Sequence, residues 1–214
     1  SSGARGIEPL LTLNGARYKA HNARFVGKGR YIISAGDDNS LRLWNANTGR
    51  LLRSFRFHTD WVYDAVGSPD GNKVVSASDD GSATIFSLKG NMEQHRLSVN
   101  YSGINKAIFS HDGEEVITAG DDGAVRIWNA NTGRHIYGIR AHRGWVLDVD
   151  RSPNGKLLVS GGDDGVIRTF RYNPAAMAHN IYRDALTGHK GWVMDVEFSP
   201  DGKKILSASK DGTV

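Results

Sequence analysis

The feature that most limits what this chain can fold into is a repeat. Thr118–Arg134 reads TAGDDGAVRIWNANTGR: a β-branched run, a tight Asp-Asp-Gly turn, a second alternating run and an Asn/Gly turn. Asp-Gly between alternating apolar runs signals a hairpin, because the turn needs φ > 0 and glycine supplies it at little cost. The pattern recurs at Ser34–Arg50, Ser76–Gly90, Ser160–Tyr172 and Ser207–Val214. The turn aspartates Asp38, Asp80, Asp122, Asp164 and Asp211 are spaced 42, 42, 42 and 47 residues apart. A period of this size marks a stacked array of one unit that cannot bury its own apolar faces.

Three further signals share the register. Trp44-Asn45 and Trp128-Asn129 end the third strand of their repeats, Gly188-His189 and Ala141-His142 stand upstream, and Ser68–Gly71 and Ser199–Gly202 spell Ser-Pro-Asp-Gly turns. On these residues the chain resembles the WD-repeat β-propellers over almost its whole length. The resemblance implies an all-β fold with four full repeats and an incomplete fifth. They fall near 14–55, 56–97, 98–139, 140–186 and 187–214 of one domain, residues 8–214. Residues 1–7 are expected to be a disordered leader or an expression remnant.

In the family an outer strand before the first repeat usually completes the last blade, and residues 9–13 are expected to be that strand. The usual ring has seven blades, roughly 290 residues at this period. A fragment of such a ring is therefore expected, rather than five-bladed closure. Leu10–Leu13 and Lys203–Ala208 would then be open edges, inviting self-association or completion by another chain. Helix is expected nowhere beyond a turn, at Pro174–Ala178.

Composition excludes several classes. With no cysteine, disulfides and thiolate metal sites are impossible. No apolar stretch approaches membrane-spanning length and no signal peptide opens the sequence, so an intracellular setting, cytoplasm or nucleus, is expected. The net charge of +4 and pI near 9.3 are spread out, with no run of five like charges.

The four Asp-Asp pairs look at first like metal or acid/base sites. Each sits in a hairpin turn, where Asp is favoured for turn hydrogen bonds. The resemblance assigns the second aspartate to a structural network with a second-strand Ser/Thr, a third-strand Trp and a loop His. Here His58, Ser76 and Asp80 stand with Phe86, and His142, Ser160 and Asp164 with Phe170, which lacks an indole N–H. Asp38 with Trp44, and Asp122 with Trp128, keep the indole, but Ala16 and Asn100 replace the His. His189 and Asp211 belong to the fifth set. The histidines show no ligand spacing, so neither metal nor cofactor is expected. No nucleophile elbow, phosphate loop or dinucleotide fingerprint is present, and an enzyme is not expected.

Trp61, Trp145 and Trp192 share one repeat position, held by Lys19 and Gly103 elsewhere. The resemblance places it on the narrow top face, around the channel. Near it should lie Arg17, Tyr63, Tyr101, Arg143, Lys190 and the first turn acids Asp37, Asp79, Asp121 and Asp163, with Lys210 in place of a fifth acid. Tryptophan is enriched at binding hot spots, although indoles in this place also simply fill the gaps between blades. The expected function is a non-catalytic scaffold presenting this face to protein or peptide partners. The alternative is a component of a ribonucleoprotein or nucleic-acid complex using a basic, aromatic face. Two departures carry expectations of their own: looser packing beside Gly67, and an Arg151 that reaches a carboxylate or solvent.

Overall fold

The computed structural model describes residues 11–13, 19–89, 94–98, 102–172 and 182–214. Among these every regular element is a strand. The first blade is a meander of β1 (Ala20–Val26), β2 (Tyr31–Gly36), β3 (Leu41–Asn45) and β4 (Leu51–Phe55). The second holds β5 (Val62–Gly67), β6 (Lys73–Ser78), β7 (Ser82–Ser87) and β8 (Gln94–Ser98). β9 (Ile104–Phe109), β10 (Glu115–Gly120), β11 (Ala124–Asn129) and β12 (His135–Arg140) form the third. The fourth comprises β13 (Val146–Arg151), β14 (Leu157–Gly162), β15 (Val166–Arg171) and β16 (Tyr182–Thr187), and the hairpin β17 (Val193–Phe198)–β18 (Ile205–Ser209) begins a fifth. All pairings are antiparallel between sequence neighbours.

Alternation along each strand sends one set of side chains to the blade before and the other to the blade after. Val75, Ala77, Ile85 and Leu97 of the second blade pack on Ile104, Ala107, Phe109 and Trp128 of the third. Their strand-neighbours Val62, Ala65, Val74 and Phe86 pack backwards on Ile33, Leu41 and Phe55. The same two-faced arrangement joins the third blade to the fourth and the fourth to the fifth. The core is thus a series of apolar layers between sheets, and the innermost strands stack in the order β1, β5, β9, β13, β17. On the two end blades the corresponding faces are open: Phe25 is 70% exposed and Leu206 58%.

Several expectations need correction. Leu11–Leu13 is not a strand. Nor are Thr213 and Val214, and among the described residues no third strand stands beside β18 for the Leu11–Leu13 segment to pair with. Its leucines instead pack at the Gly49 turn of the first blade, 3.5–3.7 Å from where a Cβ there would lie. Residues 9 and 10, and the Pro174–Ala178 turn, lie outside the described residues. Gly67 is not simply under-packed. Val26 Cγ1 stands 3.0 Å from the position of its absent Cβ, while a cavity of about 210 Å³ lined by Gly67, Pro69, Phe109 and Arg151 opens beside it. Arg151 does reach a carboxylate: Nη1 donates to Glu115 Oε2 at 2.7 Å, and the guanidinium lies over Tyr172, whose hydroxyl binds the same glutamate.

Candidate interaction face

Every blade carries the same backbone joint at one end. The amide of Asp37 donates to Lys19 O, Asp79 to Trp61 O, Asp121 to Gly103 O, Asp163 to Trp145 O and Lys210 to Trp192 O, at 2.9–3.1 Å. This brings the β2–β3 type turns and the entries to the inner strands onto one face. Each inner strand also carries a register shift after its first residue. Such a bulge re-aims one side chain, here His21, Tyr63, Asn105, Leu147 and Met194. Three of these meet the first turn acid of their own blade. His21 Nε2 binds Asp37, Asn105 Nδ2 donates to Asp121 at 2.7 Å, and Tyr63 meets Asp79. Burial, then the charge and hydrogen bond of Asp79, raises the Tyr63 phenol well above its usual range.

The indoles are open. Trp61 is 47% exposed, Trp145 43% and Trp192 37%. Trp145 and Trp192, on adjacent blades, meet edge to face at 5.7 Å, and Lys210 Nζ lies 4.2 Å above the Trp192 ring. Trp61 instead sits near His21, whose ring also meets Tyr63 edge to face. Lys19, Arg143 and Lys190 are exposed around them; Arg17 and Tyr101 lie outside the described residues. Between Trp61 and Trp145 the row is broken by Gly103. A Cβ there would stand 2.6 Å from Asp79 Oδ1 and 2.9 Å from Asp121 Oδ2. Both carboxylates therefore crowd the place of the missing side chain, and Gly103 itself is buried. Burial, followed after the Asn105 hydrogen bond by the charges of Asp79, Asp122 and Asp163, raises Asp121 above the ordinary carboxylate range.

The second acid of each turn is spent differently. Asp80 stands 3.1 Å from His58 Nδ1, Asp164 2.9 Å from His142 Nδ1 and Asp211 3.2 Å from His189 Nδ1. The far ring nitrogens contact Ser76, Ser160 and Ser207 at 2.8–2.9 Å. In the first and third blades the same hydroxyl position takes the indole instead. Trp44 donates to Ser34 at 3.0 Å and Trp128 to Thr118 at 2.9 Å. One second-strand hydroxyl thus meets a Trp or a His, and Phe86 and Phe170 stand in the Trp position of the blades where His58 and His142 take it. An arginine four residues on holds the acid left without His, Arg42 on Asp38 and Arg126 on Asp122, each through two nitrogens, while Arg168 binds Asp164 at 2.7 Å even beside His142. Burial raises Asp80, but hydrogen bonds from His58, Ser82 and the Thr59 amide outweigh it and hold the carboxyl far below its usual range. In Asp122 burial is likewise outweighed by Arg126. Among the described residues no group of three His, Cys, Asp or Glu is placed to hold a metal ion.

The stacked inner strands below the face carry a feature that the strand pattern did not reveal. Asn22, Asp64, Lys106, Asp148 and Asp195 occupy one register position, two residues into each inner strand's pairing. Lys106 Nζ lies 3.1 Å from Asp148 and 3.7 Å from Asp64, both nearly sealed from solvent. Burial pushes the Asp148 carboxyl up to about 7. At the next interface Asp148 and Asp150 accept hydrogen bonds from the Val196 and Phe198 amides, both at 2.8 Å.

Stacked antiparallel meanders, joined through their inner strands with equivalent turns gathered on one face, define a radial repeat protein of propeller-blade type. The chain belongs to the WD-repeat family. The family model for the WD domain, G-beta repeat, matches residues 8–45, 49–87, 91–129, 133–171 and 181–214, the first four matches each ending on the last residue of a third strand. The chain is also similar to nuclear distribution protein PAC1 of Arthroderma benhamiae, 39% identical over 70 residues, which is 29% of this chain and 15% of that protein. WD repeat domain-containing protein 83 of Rattus norvegicus is 38% identical over 63 residues, 29% of this chain and 20% of the relative. The matches therefore span a fifth or less of the relatives' own length.

Proposed function

We propose that this chain is a non-catalytic interaction scaffold, engaging protein or peptide partners on the face that carries Trp61, Trp145 and Trp192. The observation that carries this reading is the exposure of three indoles at one repeat position, on the end where the equivalent turns converge. An aromatic side chain of 150–250 Å² left about two-fifths exposed offers on the order of 80 Å², or about 2 kcal/mol, to a partner that covers it. Tyr63, Arg143, Lys190 and Lys19 supply the polar rim. The nuclear distribution role in the name of one relative is compatible with the expected intracellular setting. A nucleic-acid partner is the second reading, supported by the exposed Lys19, Arg143, Lys190 and Lys210, but the acids beside the indoles would repel phosphate. The open faces at Phe25 and Leu206 belong to the same proposal, as places where a further blade or another chain continues the stack.

The test is a comparison of wild type with the Trp61→Ala, Trp145→Ala, Trp192→Ala triple variant, by quantitative capture of partners from cell extract. Loss of a true hot spot should cost about 2 kcal/mol, roughly thirtyfold in affinity. Undiminished capture by a folded triple variant would place the binding site elsewhere. Steep loss of binding with salt would favour the phosphate reading.

A further inference from the structure

The face divides into two unlike halves. On the first three blades the side chain re-aimed by the bulge is polar and meets its own turn acid: His21 with Asp37, Tyr63 with Asp79 and Asn105 with Asp121. On the fourth and fifth blades the same position holds Leu147 and Met194, which cannot bond an acid. Met194 is 49% exposed. At the turns of this half, Asp163 packs against Gly144, and Lys210 stands where every other blade has an acid.

The halves also treat their indoles differently. Trp61 keeps company with His21, whereas Trp145 and Trp192 touch edge to face at 5.7 Å and both stay open to solvent. Lys210 Nζ lies over one face of Trp192 at 4.2 Å. Arg143 and Lys190, each two residues before an indole, are exposed, and among the described residues neither side chain has an ion-pair partner. The equivalent residue before Trp61 is the uncharged Thr59. Three cations and one turn acid therefore surround an exposed apolar cluster of two indoles and a thioether. Exposed apolar side chains rimmed by polar ones mark a surface that another molecule covers, and methionine adapts to the shape of what covers it. The sign of the rim selects a partner of negative charge.

Resting on the reading of this face as the partner surface, we propose that the partner is an acidic peptide segment docked across the fourth and fifth blades. An apolar side chain of the segment lies on Trp145, Trp192 and Met194, and its flanking aspartates or glutamates meet Arg143, Lys190 and Lys210. A nucleic acid fits less well. Stacking successive bases uses free aromatic faces, and here Lys210 covers one face of Trp192 while the two indoles stand at 69° to each other. The polar half with Trp61 lies outside the docking site.

The test uses the purified chain and three blocked pentapeptides, Glu-Glu-Phe-Glu-Glu, Gln-Gln-Phe-Gln-Gln and Lys-Lys-Phe-Lys-Lys, followed by NMR at the indole N–H and Met194 methyl signals. The acidic peptide should shift Trp145, Trp192 and Met194 saturably and leave Trp61 in place. The Gln peptide should bind at least about threefold more weakly, because several exposed ion pairs of modest strength are lost together. The Arg143→Gln, Lys190→Gln, Lys210→Gln triple variant should lose this preference, and so should wild type in high salt. All three cations are exposed, so the variant leaves the layers between blades intact.

Equal binding of the acidic and Gln peptides, tighter binding of the Lys peptide, or an undiminished preference in the triple variant would overturn the assignment, as would silence with all three peptides. Shifts produced by oligouridine and by none of the peptides would overturn it in favour of phosphate. In capture from cell extract, loss through Trp61→Ala with none through the Trp145→Ala, Trp192→Ala pair would refute this docking site while the wider reading of the face stands.

Discussion

Replacing Lys106 with methionine isolates the energetics of the charged row on the inner strands. The lysine stands between Asp64 and Asp148, at 3.7 and 3.1 Å, and the two aspartates are 4% and 3% exposed. At an effective dielectric near 20, unit charges at such distances attract by about 5 kcal/mol. Desolvation of several kcal/mol per ion opposes this. Methionine keeps most of the stem and removes the charge, so two buried carboxylates remain with Arg24, whose Nε is 3.5 Å from Asp64. Removing one partner of a buried pair costs about 3–5 kcal/mol.

The acids can relieve that cost by binding protons, and burial already raises both, Asp148 to about 7. A carboxyl whose folded pKa lies above its unfolded value of 3.8 loses stability as pH rises through that window. The deficit of the variant should therefore be largest above neutrality and smaller in mild acid. Urea unfolding of both proteins, at about pH 8 and about pH 5, measures it as a midpoint shift. A variant as stable as wild type, or a shift of equal size at both pH values, would refute the reasoning.

The His142 ring, whose pKa burial lowers despite Asp164, should titrate below its ordinary 6.5 in the folded chain, so its contribution to stability fades as pH falls from there; an NMR titration with a midpoint at or above that value contradicts this. Ser160→Ala strands the buried Nε2 of His142 and should cost about 1–3 kcal/mol. The half-exposed equivalent Ser207→Ala should cost clearly less in the same melts, because water can replace the hydroxyl. Gly123→Ala should be among the most damaging alanine changes: φ is +80° and the new Cβ would lie 2.4 Å from His142 O. Gly212→Ala has φ +84° but open space, so only the left-handed backbone penalty of about 1 kcal/mol applies. Equal melting temperatures for those two variants would count against the clash.

The all-β fold and its repeat were readable because turn chemistry is local. Asp-Gly and Ser-Pro-Asp-Gly bend the chain wherever they occur, and alternation then assigns the faces. The equivalence of Lys19, Trp61, Gly103, Trp145 and Trp192 was readable for the same reason. Partner choice within the networks was not. Nothing local says that Arg42, Arg126 and Arg168 turn back onto the aspartates four residues before them, since a strand arginine usually points to solvent. Lys106 in Ile-Asn-Lys-Ala-Ile-Phe likewise reads as an outward lysine. Its burial follows from the stacking of Asp64 and Asp148 on the blades either side, more than 40 residues away. Leu11–Leu13 looked like part of a strand by composition, but a strand exists only where another offers it a ladder.

The joint that repeats on every blade is made by main-chain atoms alone. Lys19, Trp61, Gly103, Trp145 and Trp192 each contribute to it only a carbonyl oxygen, and the opposing turn contributes only an amide. A cation, three indoles and a bare backbone already occupy that seat within one molecule. The position therefore behaves as an interchangeable socket: duplication of a blade copies the seat, and a point mutation changes its contents without renegotiating the sheet beneath. A lineage built on this plan can acquire a new recognition surface one residue at a time, while the layers between blades go on selecting for the same few apolar shapes.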